Sequence, residues 1–423
     1  MGRIRLIARM DDRCVAVTVG PSNLHAHDRN LARFGLVVMA FLLAVSGLAI
    51  GWSVGASLAS NGGGAPQAAA PVATGPGATP VDQATPTPTT RPTPLPTGSA
   101  PANPTTGGGT AAGGATAAAT HLDPQFGMSG NLLAGSADSA RAQIGMLADD
   151  GLGAVAFDVS WRDMEPSRGT YRGLDALDAV VAAAAARTMQ TMVVVTETPG
   201  WANGGKSAWV PPTHTADYAG FIGKLARRYA GRVAAWEVWN DPDQARSWLP
   251  KPNAAGYARL LRDASRAIRA ADPSATVIAG GVSFDQTAYV QALYAHEANG
   301  TFDVLAVHPA MSMLAPDAGD GSSSLTTTLD AFHSLLRQEG DEDTPIWVSD
   351  LGWAVSGPGA VSANARVDDL QRAVEVVRER PWVGLLTVRA LSTGDDPAYG
   401  LSTNGRRSDA WQAYAATVRD TGE

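Results

Sequence analysis

From about residue 121 onward, apolar positions follow two alternating rhythms. Short β-rich runs read "QFGMSGNLL", "GAVAFDVSW", "QTMVVVTET", "VAAWEVWN", "ATVIAGGVSF", "DVLAVHPAM", "PIWVSDLGW" and "VGLLTVRAL". Between them lie segments with helical spacing, most of them opened by a capping residue and closed by Gly or Pro. They include "SADSARAQIGMLADDG", "GLDALDAVVAAAAARTM", "TADYAGFIGKLARRYAG" and "NAAGYARLLRDASRAIRAADP". "TAYVQALYAHEANG", "SLTTTLDAFHSLLRQEG", "VDDLQRAVEVVRERP" and "SDAWQAYAATVRD" complete the set. Strands alternating with helices pair in parallel. Eight such units predict an α/β fold of (β/α)8, or TIM, barrel type over 121–423. A doubly wound open sheet is the alternative, but no glycine-rich phosphate turn follows the first strand.

The first 120 residues have a different pattern. Residues 35–59 form an uncharged apolar run, "GLVVMAFLLAVSGLAIGWSVGASLA". At ~1.5 Å per residue, such a helix exceeds the ~30 Å hydrocarbon thickness of a bilayer. Six arginines precede it, and the next charge is Asp82. That asymmetry predicts a single-pass anchor in the cell membrane, with a 1–34 cytoplasmic tail and everything later extracytoplasmic. A cleaved signal peptide is the alternative, against which stand the length of the run and of the tail before it. Residues 60–120 are almost wholly Gly, Ala, Pro and Thr, which cannot build a core, and predict a disordered stalk.

The formal charge of −8 offers no basic field for nucleic acid. Cys14 is the single cysteine, so neither an internal disulfide nor a cysteine nucleophile is available after it. Two histidines in "HAH" (25–27) make a weak metal motif, and "DAGDGSSS" (317–324) lacks the spaced acids of a calcium loop. No phosphate loop or serine nucleophile elbow is present. Neither metal nor cofactor is therefore expected.

In a (β/α)8 barrel, chemistry sits where strands end. The residues there are Glu197 after strand 3, Asn240 and Asp241 after strand 4, His308 after strand 6 and Asp350 after strand 7. Two carboxyl groups flanking one bond are what glycoside hydrolysis requires. Trp161, Trp201, Trp239 and Trp353 crowd the same strand ends, and flat rings suit the apolar faces of sugars. Glu237 shares a strand face with Trp239, and a buried ion pair is expected for it, with Arg389 as the candidate partner. Glu165, before Pro166, is expected to anchor its loop. The direction in which Asp158 points depends on a register that the sequence leaves open.

Several stretches together resemble clan A glycoside hydrolases, closest to family 39 (the β-xylosidase and iduronidase type) and its cellulase-like cousins. They are "FDVSWRDMEPSRGTY", "TPGWAN", "YAGFIGKLARRYAGRVAAWEVWNDPD", "AVHPA", "PIWVSDLGW" and "YGLSTNGRRSDAWQAY". The resemblance implies that Asn240 binds a sugar hydroxyl, that Asp241 takes the acid/base place and Asp350 the nucleophile place, and that His308 lines the subsite. Trp201 and Trp353 would be sugar platforms, and the implied ligand is a carbohydrate. The chain also departs from this group. Both family glutamates are aspartates, Ala156 stands where many relatives carry an arginine, and "LLTVRALS" lacks the usual tryptophan.

Shortening has a physical size. A retaining pair stands ~5–5.5 Å apart, whereas an inverting pair needs ~6.5–9.5 Å to admit a water. Each Glu→Asp change retracts a carboxyl by up to ~1.5 Å, one carbon–carbon bond. Three readings follow: a barrel that binds glycan without cutting it, a weak or inverting hydrolase using Asp241 and Asp350, or a hydrolase with a relocated carboxyl such as Glu197.

Overall fold

The computed structural model describes residues 124–309, 316–317 and 324–420, together with the backbone of 4–10 and 13–19. Eight strands follow in order: β1 (Gln125–Ser129), β2 (Ala154–Ser160), β3 (Gln190–Thr196), β4 (Ala235–Val238), β5 (Thr276–Ser283), β6 (Val304–His308), β7 (Ile346–Leu351) and β8 (Val383–Val388). Each pairs in parallel with its sequence neighbour, and β8 pairs with β1 to close the barrel. Eight long helices alternate with them: α1 (Ala137–Asp149), α2 (Leu174–Ala186), α3 (Thr215–Arg228), α4 (Ala254–Ala271), α5 (Thr287–Ala295), α6 (Leu325–Gln338), α7 (Ala363–Arg378) and α8 (Asp409–Arg419). The predicted barrel is therefore present.

Helix starts follow capping chemistry. Ser136, Asn253, Ser362 and Ser408 each accept a hydrogen bond from a backbone N–H three residues on. This satisfies a donor that the first turn leaves orphaned. The pattern of apolar residues places the start of α7 at Val367, but Ser362 caps it and the helix begins four residues earlier, at Ala363.

Two apolar layers hold the barrel. Outward-facing strand residues such as Val155, Phe157, Trp236 and Val238 pack under the helices. Inward-facing Ala154, Ala156, Met192, Val194, Ile278, Ala306, Trp347 and Leu385 fill the lower lumen. Packing there is tight enough to dictate Gly127, where a Cβ would stand 2.0 Å from the carbonyl oxygen of Ala154. Above this plug the strand ends surround an open cavity.

At the chain's start, Ile4–Met10 pairs antiparallel with Arg13–Val19. This pair lies in a unit of its own, Met1–Gly107, separate from Gly108–Glu423. The reading of 1–34 as a tail did not assign these strands, although alternating "VAVTV" is a β-favouring pattern. The expected membrane span at 35–59 and stalk at 60–120 lie outside the described residues. Among those described, no helix is long and apolar enough to cross a membrane.

Candidate active site

The cavity at the carboxyl ends of the strands has a volume of about 1140 Å³. Asp158, Glu197, Asn240, Asp241, His308, Asp350 and Arg389 all line it. Strand alternation explains the inward residues: Ala154 and Ala156 of β2 face the lumen, so Asp158 does too.

Asp241 follows β4 in a left-handed turn, with φ +46°. His308 Nδ1 lies 2.9 Å from its Oδ1, and Arg246 Nη2 donates to its Oδ2 at 2.8 Å. Both oxygens are thus committed. Burial acts to raise the Asp241 pKa, but His308 and Arg246 outweigh it and bring the value down to about 2.

His308 is buried between carboxylates. Its Nε2 lies 2.8 Å from Ser349 Oγ and 3.5 Å from Glu237 Oε1. Burial alone would lower its pKa, yet Glu237, Asp241 and Asp350 together push it up to about 10. Glu237 is fully buried and its two oxygens have no hydrogen-bond partner. Burial raises its carboxyl to about 7, His308 working in the opposite sense. The expected Glu237–Arg389 pair does not form. Glu237 sits deep beside the imidazole, while Arg389 reaches the mouth and donates to Asp350 Oδ2 at 2.9 Å.

Asp350 keeps a freer carboxylate. Its Oδ1 receives one long contact from Ser129 Oγ at 3.4 Å. Arg389 is itself steadied by Asp396 at 3.4 Å and by the Tyr399 ring at 5.1 Å. Glu197 accepts from Ser160 Oγ and pairs with Arg162 at 3.1 Å. Glu165 anchors its loop, accepting from Trp161 Nε1 and the Gly169 amide, both at 2.8 Å.

The tryptophans require a correction. Trp201 and Trp353 are absent from the cavity lining. Trp353 is 2% exposed and so cannot offer a face to a sugar. Trp201 packs edge-on against Trp161, donates to the Glu165 carbonyl at 2.8 Å and carries Arg168 on its ring. Trp161 and Trp239 are fully buried as well. A ring that follows a strand can turn outward under the helices, and here these do. Trp209 and Tyr399 are the aromatic residues at the mouth that the sequence reading passed over. Arg246 was also missed, because a loop arginine has no distinguishing local pattern.

A family model described as cellulase (glycosyl hydrolase family 5) matches residues 114–323. Among solved structures, the chain is similar to a family 39 glycoside hydrolase from Bacteroides cellulosilyticus. Identity is 18% and the TM-score 0.58, covering 70% of this chain and 64% of that one, just under two thirds of its length. GH5_18 from Streptomyces cattleya in complex with GlcNAc aligns at 20% identity and TM-score 0.58, covering 71% and 80% of the two chains. A monomeric β-xylosidase from Caulobacter crescentus gives 18% and 0.57, covering 71% and 68%. The fold is the one these solved glycoside hydrolases have. No protein of curated function matches the chain. In this barrel the ends of β4 and β7 bring Asp241 and Asp350 to one cavity.

The buried charges of the barrel set its response to pH. His308 has a folded pKa of about 10, above the unfolded ~6.5. Its stabilisation is complete below ~6.5 and is lost as pH rises through the folded value. Glu237, held near 7, favours its neutral form and loses stability in the same direction over a lower window, from its unfolded value of 4.5 up to about 7, leaving His308 to dominate above that. The melting temperature should therefore fall between pH ~6.5 and ~10. Calorimetry on the parent and on His308→Gln checks this; an equal slope in both would remove His308 as the cause.

Proposed function

We propose that the barrel binds an oligosaccharide at its strand-end cavity and hydrolyses an O-glycosidic bond there. Asp350 acts on the anomeric side and a second carboxyl faces it. The observation that carries this reading is the shared cavity of Asp350 and the β2, β3 and β4 carboxyls. The solved neighbours that hold GlcNAc and Manb1-4GlcNAc support a carbohydrate ligand. Asn240 and His308 would contribute to sugar binding, and Glu197 borders the same space.

A second reading has its own support. Asp241 has both oxygens occupied and its charge fixed, which suits a glycan-binding scaffold better than a proton donor. The membrane anchor belongs to this proposal too. The apolar run at 35–59, flanked by arginines on one side, would hold the barrel outside the cell on its Pro/Thr/Gly/Ala stalk.

Calorimetric binding of neutral oligosaccharides, beside turnover of aryl β-glycosides, separates the readings. The hydrolase reading expects both signals. Binding without turnover supports the scaffold, and absence of both sinks the carbohydrate proposal. For the anchor, protease treatment of intact cells should remove the barrel and spare the tail; a barrel protected until lysis would sink the outward orientation.

A further inference from the structure

We propose that the proton donor facing Asp350 is Asp158 on β2, and that Asp241 is the fixed counter-charge of His308. This rests on the hydrolase reading above. Three observations carry it. First, Asp241 has no oxygen to spare: one is held at 2.9 Å by His308 and the other at 2.8 Å by Arg246. A carboxylate stabilised by two cations resists the protonation that a general acid must carry into each cycle.

Second, the Asp158 carboxyl is uncommitted. It lines the same cavity, and no hydrogen bond or ion pair to this side chain is found among the described residues. The barrel wall surrounds it, yet cavity solvent reaches it. The groups that face it are Asp350 on β7, His308 on β6, Arg389 just after β8, Asp241 after β4 and, deeper, Glu237 on β4. Burial first, then the Asp350 charge, raises its carboxyl to about 6, with His308 and Arg389 opposing. That is where a working acid belongs near neutral pH.

Third, the topology allows the exchange. In the closed order, β7 reaches β4 through β6 and β5, and it reaches β2 through β8 and β1. Both strands therefore stand three steps from Asp350, on opposite sides of the ring. A carboxyl on β2 faces Asp350 across the mouth as one on β4 would.

The step balances simply. Asp158 gives its proton to the glycosidic oxygen as the bond to the anomeric carbon breaks, and the alcohol leaves. Water adds to the anomeric carbon and its proton passes to Asp350. Cavity water then carries that proton back to Asp158. The products are the hemiacetal and the alcohol, and no further reactant enters.

The test uses the full chain, with parent, Asp158→Asn and Asp241→Asn assayed on aryl β-glycosides of graded phenol acidity. Asp158→Asn should lose about 10²–10⁴-fold in kcat with poorly acidic phenols, the span of general acid catalysis, and little with the most acidic ones. Asp241→Asn should lose a similar factor across the whole series, because it strips His308 of its partner. A graded loss in Asp241→Asn with Asp158→Asn tracking the parent overturns the assignment. Melting curves confirm that both variants fold.

A second readout needs no turnover. In carboxyl ¹³C titrations, a resonance titrating near pH 6 should vanish in Asp158→Asn and persist in Asp241→Asn. Asp369 on α7, also raised to about 6, should titrate in all three. If no resonance near pH 6 is lost in Asp158→Asn, the proposal fails. A parent that binds oligosaccharide but leaves every activated glycoside intact overturns the donor role alone; a parent that binds none removes the hydrolase reading with it.

Discussion

Gly281→Val should unfold or nearly unfold the barrel. Gly281 sits at the β5 bulge with φ +64°, where a Cβ would lie 2.3 Å from His308 Cε1 and 2.7 Å from Glu237 Oε1. A left-handed backbone costs an L-residue ~1–2 kcal/mol, and more for a β-branched one. The contacts add a second cost. His308 cannot retreat without stretching its bonds to Asp241 and Ser349, at 2.9 and 2.8 Å. Glu237 has no exposed space to enter. Together these imply ~4 kcal/mol or more, a large part of a typical stability of 5–15 kcal/mol. Urea unfolding checks it, with Gly145→Ala as the control. Gly145 lies on α1 with nothing near its missing Cβ, so that change should stabilise by up to ~1 kcal/mol. A Gly281→Val midpoint close to the parent's would show that β5 can shift away from the histidine.

Asp350→Asn should abolish turnover and spare oligosaccharide binding. The amide keeps the shape of the carboxyl but cannot take a proton from water or attack a carbon. A loss of at least ~10³-fold in kcat is expected, within the range of removed acid/base groups. Binding should change little, since the proposed sugar site draws on many residues of the cavity wall. The variant also leaves Arg389 with Asp396 at 3.4 Å, so its charge keeps a partner. Equal kcat in parent and variant would take the β7 carboxyl out of the chemistry. Lost binding with unaltered kcat would make Asp350 a sugar ligand instead.

The barrel was legible because its signals are local and repeated. A parallel strand buries both faces, so each reads as a short β-rich run, and Ser or Asn caps mark the helices between. The same property hid Asp158. Ala154, Val155, Ala156 and Phe157 are all buried, so no alternation shows which of them face the lumen. The phase becomes visible once β2 is registered against β1 and β3. Asp241, His308 and Asp350 were legible as strand-end residues, but their partners were not. Arg246 comes from a loop and Arg389 from just past β8, and ion pairs between such distant segments leave no mark on a single sequence. The platform expectation for Trp201 and Trp353 failed for a related reason: a tryptophan past a strand end serves the outer core as readily as the mouth.

Glu237, His308, Asp241 and Arg246 form a file of alternating acidic and basic groups, with contacts of 3.5, 2.9 and 2.8 Å. It begins at a fully buried carboxyl and ends at a guanidinium that is 71% exposed. Each inner member compensates both of its neighbours, so losing one strands a charge on either side. Substitutions along the file are therefore strongly epistatic. Paired substitutions are expected to be tolerated better than single ones, and Arg246, the end in contact with water, is the member whose single loss should cost least.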